Sequence, residues 1–334
     1  MTPPATPAQL ADLVQQEQAD EAAALEDQTA KDADGGAGAA LAVVFTGAAA
    51  AWVTSFGSLA AVGGGTALAA YLARLRRDVD QAGAGLGRRA ARVVEQALAD
   101  AVEMGVRHTI TFAYRAEGRR GGRVAGVVPR DAIEAARAIA ATVREQLRLT
   151  KELLSPQSVA GQGWSGVTAG LAAARRAASL VRSAVAWCIH RAINDGAAQA
   201  IAELGARRLW VTERDACVVC LAYAGRIADL DGRFPGGLSM DPRTRSMTAA
   251  AVEGPPKHPN CRCRLVAWRD EWARPGTTSL PNLLRAQAWR SIASGRGRPT
   301  ESRAARIRAA RTLAAQRSVP DRLRRQARTA AGRT

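Results

Sequence analysis

The sequence predicts a mainly α-helical protein with a small α+β Cys/His module and a basic helical tail. Hydrophobic residues make up 47% of the 334 residues and aromatic residues only 4%, so alanine supplies much of the apolar content. Alanine has the highest helix propensity and loses little side-chain entropy on folding. After Gly205 the long helical patterns give way to short strand-like runs and loops rich in glycine and proline. The N-terminal and central regions are therefore predicted to be helical. The α+β module is predicted to follow them in the chain.

The N-terminal segment, residues 1–34, is acidic. It holds eight Asp and Glu residues and one basic residue, Lys31. Thr6 and Pro7 predict the start of a helix, with Thr6 as N-cap and Pro7 at the first helical position. Few large apolar side chains follow, so we expect a short helix in a segment that is otherwise disordered when unbound.

Residues 35–164 predict an Ala-rich helical region. No charged side chain occurs from Gly35 to Ala73, a length that would allow a membrane span of roughly 20 apolar residues. Because three glycines at 63–65 interrupt this run, we favour a pair of packed helices in a protein assembly. A membrane-active segment at residues 35–73 is the alternative. Helices over 86–117 and 129–154 follow from apolar residues at helical spacing.

Residues 165–275 predict the α+β module. A long helix over 165–204 should end at Gly205, since glycine is the usual residue after a helix C-terminus. Short strands are expected at 208–212 and 264–268. The predicted local core consists of Trp210, Phe234 and Trp268.

Five potential metal ligands occur in this module. The first two are in Cys217-Val218-Val219-Cys220 and the others in His258-Pro259-Asn260-Cys261-Arg262-Cys263. Two intervening residues let both sulfurs of a CxxC reach one ion, and His258 and Cys261 repeat that spacing. Cys217, Cys220, His258 and either Cys261 or Cys263 would complete a closed tetrahedral zinc site. Such a site is structural, because it leaves no position for water or substrate.

Two other states of these residues remain open, an unmetallated hydrogen-bonded cluster and a disulfide. The N-terminus is acidic and Pro-rich and lacks the pattern of a secretory signal. We therefore expect reduced cysteines, for which metal binding is favoured over a disulfide. Ordering the long loop between Cys220 and His258 costs about 1–2 kcal/mol per residue. Structural zinc, which contributes on the order of 10 kcal/mol in small peptides, would offset part of that cost.

The motifs do not favour an enzyme. A nucleobase deaminase places His-x-Glu before its Cys pair, whereas His258 follows the CxxC here. A thioredoxin-like site places CxxC in an α/β pattern, and no such alternation occurs in this sequence. Cys188 and His190 are two residues apart on a predicted helix and point to different sides. Cys188 is predicted to be a core residue, and His108 and His190 to lie on helix surfaces.

The C-terminal tail, residues 276–334, is strongly basic. Residues 285–334 contain fourteen arginines and only two acids, Glu301 and Asp321. Such a segment suits DNA and would bind it in a salt-sensitive, sequence-independent way, since Trp289 is its one stacking group. A solvated helix reflecting an arginine-rich composition is the alternative. The predicted DNA contacts are Arg285, Arg290, Arg303, Arg306, Arg324 and Arg325.

The module resembles the phage Mu protein F-like family of minor head, or head morphogenesis, proteins. The resemblance covers roughly residues 176–268. Its motifs are Ala192-Ile193-Asn194-Asp195-Gly196, Arg208-Leu209-Trp210-Val211-Thr212, Asp215, the CxxC, Gly225, Phe234, Pro255-Pro256 and His258-Pro259-Asn260-Cys261-Arg262-Cys263. It implies a non-enzymatic virion protein that associates with the portal and other head proteins and is packaged with double-stranded DNA. Such a protein would lie in the capsid interior or at the portal vertex, and in the host cytoplasm during assembly. A zinc-stabilised, sequence-independent DNA-binding protein is the alternative.

Overall fold

The computed structural model describes residues 3–118, 124–246, 249–273, 275–295, 297–298 and 301–332. It is 67% helix and 4% strand, which confirms the mainly helical class. The chain forms two compact units. The sheet unit comprises Met1–Leu25, Leu98–Pro129 and Ile189–Thr334, and the hairpin unit comprises Glu26–Ala97 and Arg130–Cys188. Each unit combines stretches from several of the predicted segments, because residues far apart in the chain pack together.

Eight helices precede the sheet in the described residues. They are α1 (Pro7–Asp12), α2 (Gln18–Asp34), α3 (Ala37–Phe56), α4 (Gly65–Ala82), α5 (Leu86–Glu117), α6 (Arg130–Leu153), α7 (Pro156–Val159) and α8 (Trp164–Glu203). A π-helical turn, Leu13–Glu17, joins α1 to α2. The bounds of α5, α6 and α8 agree with the predicted helices to within a residue or two.

Helix α1 begins where the sequence predicts. The Thr6 hydroxyl accepts the backbone N–H of Gln9, and the Gln9 side chain accepts the backbone N–H of Thr6 at 2.8 Å. These reciprocal bonds satisfy backbone donors that the first turn of a helix leaves free. Leu10 and Val14 are buried against Phe112. The acidic segment is therefore helical rather than disordered, because it has an apolar stripe that the sheet unit buries.

The hairpin unit contains the predicted pair of packed helices. Helices α3 and α4 enclose Trp52, whose ring lies 4.5 Å from Phe56 and 5.3 Å from Tyr71, and the Tyr71 hydroxyl donates to the Ala48 carbonyl at 2.8 Å. The three glycines at 63–65 lie where the chain turns between the two helices. Within the described chain, α3 alone is long and apolar enough to cross a membrane, and 17% of its apolar window is buried.

In the sheet unit, α5 and α8 approach each other through two glycines. A Cβ atom on Gly105 would lie 2.8 Å from the Ile193 carbonyl carbon, and one on Gly196 would lie 2.8 Å from that of Val102. The two backbones are therefore in direct contact at this crossing. Helix α8 ends before Gly205, whose φ of 57° is left-handed, as the sequence predicts.

A three-stranded antiparallel sheet follows α8. It consists of β1 (Arg207–Val211), β2 (Ile227–Ala228) and β3 (Arg264–Trp268), in the order β2-β1-β3. Trp210 packs on Tyr223 and Phe234 at 4.5 and 5.1 Å between ring centroids. Trp268 belongs instead to the cluster on Leu10 and Phe112. The predicted three-residue core is thus divided between two clusters. Trp268 pairs with Arg207, three positions before Trp210 on β1, so the two tryptophans point to opposite faces of the sheet.

The basic tail packs on the module. After α9 (Val218–Leu221) come α10 (Leu280–Ala293), α11 (Arg303–Ala315) and α12 (Asp321–Ala331). Ile292, Ala309, Leu313 and Ala327 are fully buried in the same cluster as Trp210. Val319 and Pro320 lie between α11 and α12. An apolar face made largely of alanine therefore makes the tail part of the module's core.

Candidate metal centre

The CxxC motif forms the start of α9. Cys217 has extended backbone angles (φ −67°, ψ 162°) and its sulfur accepts the backbone N–H of Cys220 at 3.5 Å. The short helix then turns the chain by about one turn between the two cysteines. This turn brings both sulfur atoms to the same side of the backbone.

A second tight turn positions the remaining ligands. The backbone N–H of Cys261 donates to the His258 carbonyl at 3.0 Å, and Asn260 adopts a left-handed φ of 60°. Asparagine tolerates this conformation better than most residues. Strand β3 begins at Arg264, directly after Cys263, so the sheet anchors one end of the turn.

The structure brings the two motifs together. The His258 Nε2 atom lies 3.2 Å from Cys217 Sγ and 3.1 Å from Cys220 Sγ, and Cys220 Sγ lies 3.6 Å from Cys261 Sγ. Two groups of ligands could hold a metal ion, and in each group all ligand atoms lie within 4.8 Å of one another. The groups are Cys217, Cys220 and His258, and Cys220, Cys261 and Cys263.

The separation of the Cys220 and Cys261 sulfurs fits a tetrahedral ion, and Cys220 is the ligand that the two groups share. Two sulfurs each about 2.3 Å from one zinc at a tetrahedral angle would be about 3.8 Å apart, close to the 3.6 Å between Cys220 and Cys261. The His258 ring is also oriented for coordination. Its Nδ1 lies 2.8 Å from the Pro259 carbonyl oxygen, which can only accept, so Nδ1 carries the proton. Nε2 faces the sulfurs and would coordinate a metal ion once its own proton is released, as in metal-bound histidines.

Crowding of the thiols sets their protonation in the absence of a cation. Hydrogen bonding from Cys220 lowers the pKa of Cys217 to about 4, and the same contact raises the pKa of Cys220. Hydrogen bonding to Cys217 raises the pKa of His258 to about 9. A hydrogen bond from Cys220 also lowers the pKa of Cys261. Neighbouring thiols cannot all ionise without a positive charge between them, and a metal ion supplies one.

The cluster is sealed on its inner side and half open on its outer side. Cys220, Cys261 and Cys263 are each 2% exposed. Cys217 and His258 are half-buried and line a cleft of about 620 Å³. The buried thiols belong to the hydrophobic core cluster around Trp210. That core cluster joins the sheet to the loop between Cys220 and His258.

Asn194 connects α8 to the cluster. Its side-chain amide donates to the Cys263 carbonyl at 3.1 Å, and its side-chain oxygen accepts the Leu265 N–H at 2.8 Å. Asn194 is 3% exposed. The sequence singled out this position only through the family resemblance, because a single buried polar residue in a helix has no local pattern.

Two tail residues also support the CxxC turn. One carboxylate oxygen of Glu301 accepts the Val218 N–H at 2.7 Å and the other pairs with Arg306 at 3.2 Å. The side chains of Glu301 and Arg306 are 6% and 3% exposed. Burial raises the pKa of Glu301. Glu301 had no predicted role, although an acid in such a basic segment is a signal that could have indicated one.

No family model, curated protein or solved structure matches the chain. Conclusions about its function therefore rest on its own residues and their geometry.

The arginines predicted to contact DNA occupy different environments. Arg290, Arg303 and Arg325 are exposed, whereas Arg285 and Arg324 are half-buried. The prediction for Arg306 needs correction, because its guanidinium is buried and donates to Ala216, Ser291 and Glu301. A side chain held in this way cannot reach a phosphate on the surface.

The isolated histidines also differ from expectation. His108 is 7% exposed and His190 is 1% exposed, so the prediction that they lie on helix surfaces is wrong. His108 Nε2 lies 3.0 Å from a carboxylate oxygen of Glu21. The prediction that Cys188 is a core residue is confirmed, since it is 4% exposed. Both histidines lie on helices with more than one buried face, which helical spacing alone does not reveal.

Proposed function

We propose that the chain is a non-enzymatic phage minor head protein of the Mu F-like type, with its C-terminal module stabilised by one structural zinc ion. One observation carries this proposal: the motifs of the resemblance, which are far apart in sequence, meet in one assembly. Trp210 and Phe234 form the core beside the cysteines, and Asn194 binds the backbone on both sides of Arg264. Gly196 allows the helix crossing.

Zinc is the ion that suits this donor set best. Thiolates select zinc, Cu(I) and iron–sulfur clusters, and imidazole is a common ligand of zinc. Cys217, Cys220, His258 and Cys261 would provide the four ligands, with Cys263 as the alternative to His258 or Cys261. The ion would supply folding free energy to the loop between the two motifs. Exposed Arg290, Arg303 and Arg325 would contact packaged double-stranded DNA, and the portal and other head proteins would be the protein partners.

Metal content tests the zinc centre. The full-length protein, purified under reducing conditions, should contain one zinc per chain by inductively coupled plasma mass spectrometry. Cys217→Ser and Cys261→Ser should lose the metal and unfold at lower temperature. Cys188→Ser, which changes a buried cysteine outside the cluster, should retain it. Comparing His258→Ala with Cys263→Ser identifies the fourth ligand. A zinc-free protein of unchanged stability would contradict the proposal.

Location tests the viral part of the proposal. Peptides of this chain should be found by mass spectrometry in purified virus particles, and the protein should be in the host cytoplasm during assembly. Presence in free cell extract with absence from particles would favour the alternative, a zinc-stabilised DNA-binding protein outside the virion.

A second candidate function is membrane contact during DNA delivery. It is favoured by the exposed apolar side chains of the hairpin unit, where Val43 and Val62 are each 72% exposed. If residues 35–73 enter a bilayer, the full chain should float with liposomes and Val43→Lys should reduce this binding. Val127→Lys, at a valine 68% exposed in the sheet unit, is the matched control. Flotation that is absent, or equally reduced by both changes, would remove this candidate.

A further inference from the structure

A second cleft in the sheet unit shares no lining residue with the Cys/His cluster. It has a volume of about 590 Å³ and is lined by three arginines, Arg226, Arg245 and Arg285, together with Trp289 and an apolar floor that includes Met240. Its volume is in the range of sites for small ligands. No aspartate or glutamate is among the described residues that line it.

Two of these arginines carry positive charge that the cleft itself does not balance. Arg285 is half-buried and donates to neutral oxygens, those of Asn282 at 3.3 Å and Gly225 at 3.5 Å. Burial lowers the pKa of Arg285, and the neighbouring charge of Arg226 lowers it further. Within the described chain, neither Arg226 nor Arg285 is paired with a carboxylate. An anion bound between them would therefore remove a repulsion that the folded protein otherwise retains.

Trp289 adds a flat aromatic surface to the cleft. One part of the indole packs against the core cluster that contains Ile292, which restricts its movement, and another part lines the cleft. Guanidinium groups beside a fixed aromatic ring form the combination that binds unpaired nucleic acid, since phosphates contact the cations and a base stacks on the ring.

We infer that this cleft binds an unpaired stretch of nucleic acid, with phosphates at Arg226, Arg245 and Arg285 and a base stacked on Trp289. Bases in a duplex already stack on each other, so a ring inside a cleft does not reach their faces. An acidic peptide would use the arginines but has no need of the ring. The inference rests on the proposed nucleic-acid contact. It extends that contact beyond the tail, because Arg226 and Arg245 lie outside residues 276–334.

Binding of a labelled single strand tests the inference. Fluorescence anisotropy would follow an oligothymidylate of about 12 nucleotides binding to the full-length protein over a range of salt concentrations. Arg226→Gln with Arg245→Gln should weaken binding by about 5-fold or more, and should reduce the salt slope by about 0.7 for each phosphate that the protein no longer neutralises. Arg88→Gln with Arg92→Gln removes two exposed arginines of α5 that lie outside both the cleft and the tail, and should change affinity by less than about 2-fold.

Trp289 variants test the stacking. Trp289→Phe should retain most of the affinity and Trp289→Ala should weaken binding by about 5-fold or more. Thermal unfolding would show whether the alanine variant folds. If it does not, the arginine pair carries the test, since Arg226 and Arg245 are exposed.

Four results would overturn the inference. Equal weakening by the cleft pair and the control pair would indicate diffuse charge, and would leave the proposed DNA contact in place. Tighter binding of a duplex or of a polyglutamate peptide than of the single strand would assign the cleft to that ligand. Displacement of the strand by inorganic phosphate at equal phosphate concentration would indicate a site for the free ion. Absence of any nucleic-acid binding would remove both the cleft site and the proposed contact.

Discussion

Replacing Gly196 by alanine tests whether the backbones of α5 and α8 touch. The new methyl group would lie 2.8 Å from the carbonyl carbon of Val102 and closer still to its oxygen, whereas ordinary contacts begin at 3.4 Å. The neighbouring atoms are backbone, so no side chain can rotate away. The clash can be relieved only if the two helices move apart. This would happen close to Asn194, whose side chain binds the backbone at the start of β3.

The magnitude follows from two opposing effects. Alanine in place of glycine inside a helix stabilises it by about 1 kcal/mol. Overpacking a tight core typically costs about 1–3 kcal/mol, and more where backbone must shift. Because backbone must shift here, the cost lies at or above the upper end of that range, and we expect Gly196→Ala to lower the free energy of unfolding by about 2 kcal/mol or more. Gly105→Ala should behave alike, because its methyl group would lie 2.8 Å from the Ile193 carbonyl carbon.

Urea denaturation followed by far-ultraviolet circular dichroism measures this effect. Gly47→Ala is the control, since Gly47 is inside α3 and a Cβ there meets nothing within 4 Å. That change should raise the stability of the hairpin unit by up to about 1 kcal/mol. The sign of the effect is decisive. If Gly196→Ala stabilised the protein as Gly47→Ala does, the close crossing would be incorrect.

Two further changes probe buried charges. Asp241 is fully buried and pairs with Arg308 at 2.7 Å, and hydrogen bonds from Arg308 lower its pKa from 3.8. Since the folded-state pKa is the lower one, this stabilisation is present above pH 3.8 and is lost as the pH falls through the folded value. Asp241→Asn should cost about 1–2 kcal/mol at neutral pH, because it removes the charged partner of Arg308, which is itself partly exposed. It should also flatten the acid limb of a stability–pH curve, and an unchanged limb would contradict the pairing. Arg306→Met should cost about 3 kcal/mol or more, because it leaves Glu301 buried without its partner, whereas exposed Arg303→Met should change stability by less than about 0.5 kcal/mol. Thermal unfolding measures both, and equal effects would show that Arg306 is not buried.

Local patterns in the sequence were enough to predict most of the helices of this chain and two of its three strands, β1 and β3. Apolar spacing, the Thr6 cap and the stop at Gly205 act over a few residues, so they can be recognised without the fold. The same holds for the spacing within each half of the Cys/His cluster. That both halves meet is a statement about the fold, and it was predicted only because metal-ligand chemistry requires it.

What only the tertiary structure decided depends on contacts between distant residues. The bond from Val218 to Glu301 spans 83 positions, and no periodicity in either segment indicates the other. The composition of the tail predicted arginines that contact DNA. Its alanine-rich face is buried in the module, and Arg306 is buried with that face. Nothing in the local sequence around Gly105 or Gly196 predicts that α5 and α8 cross at these glycines. Their role depends on which helix lies opposite, and a sequence encodes that only through the free energy of the whole packed core.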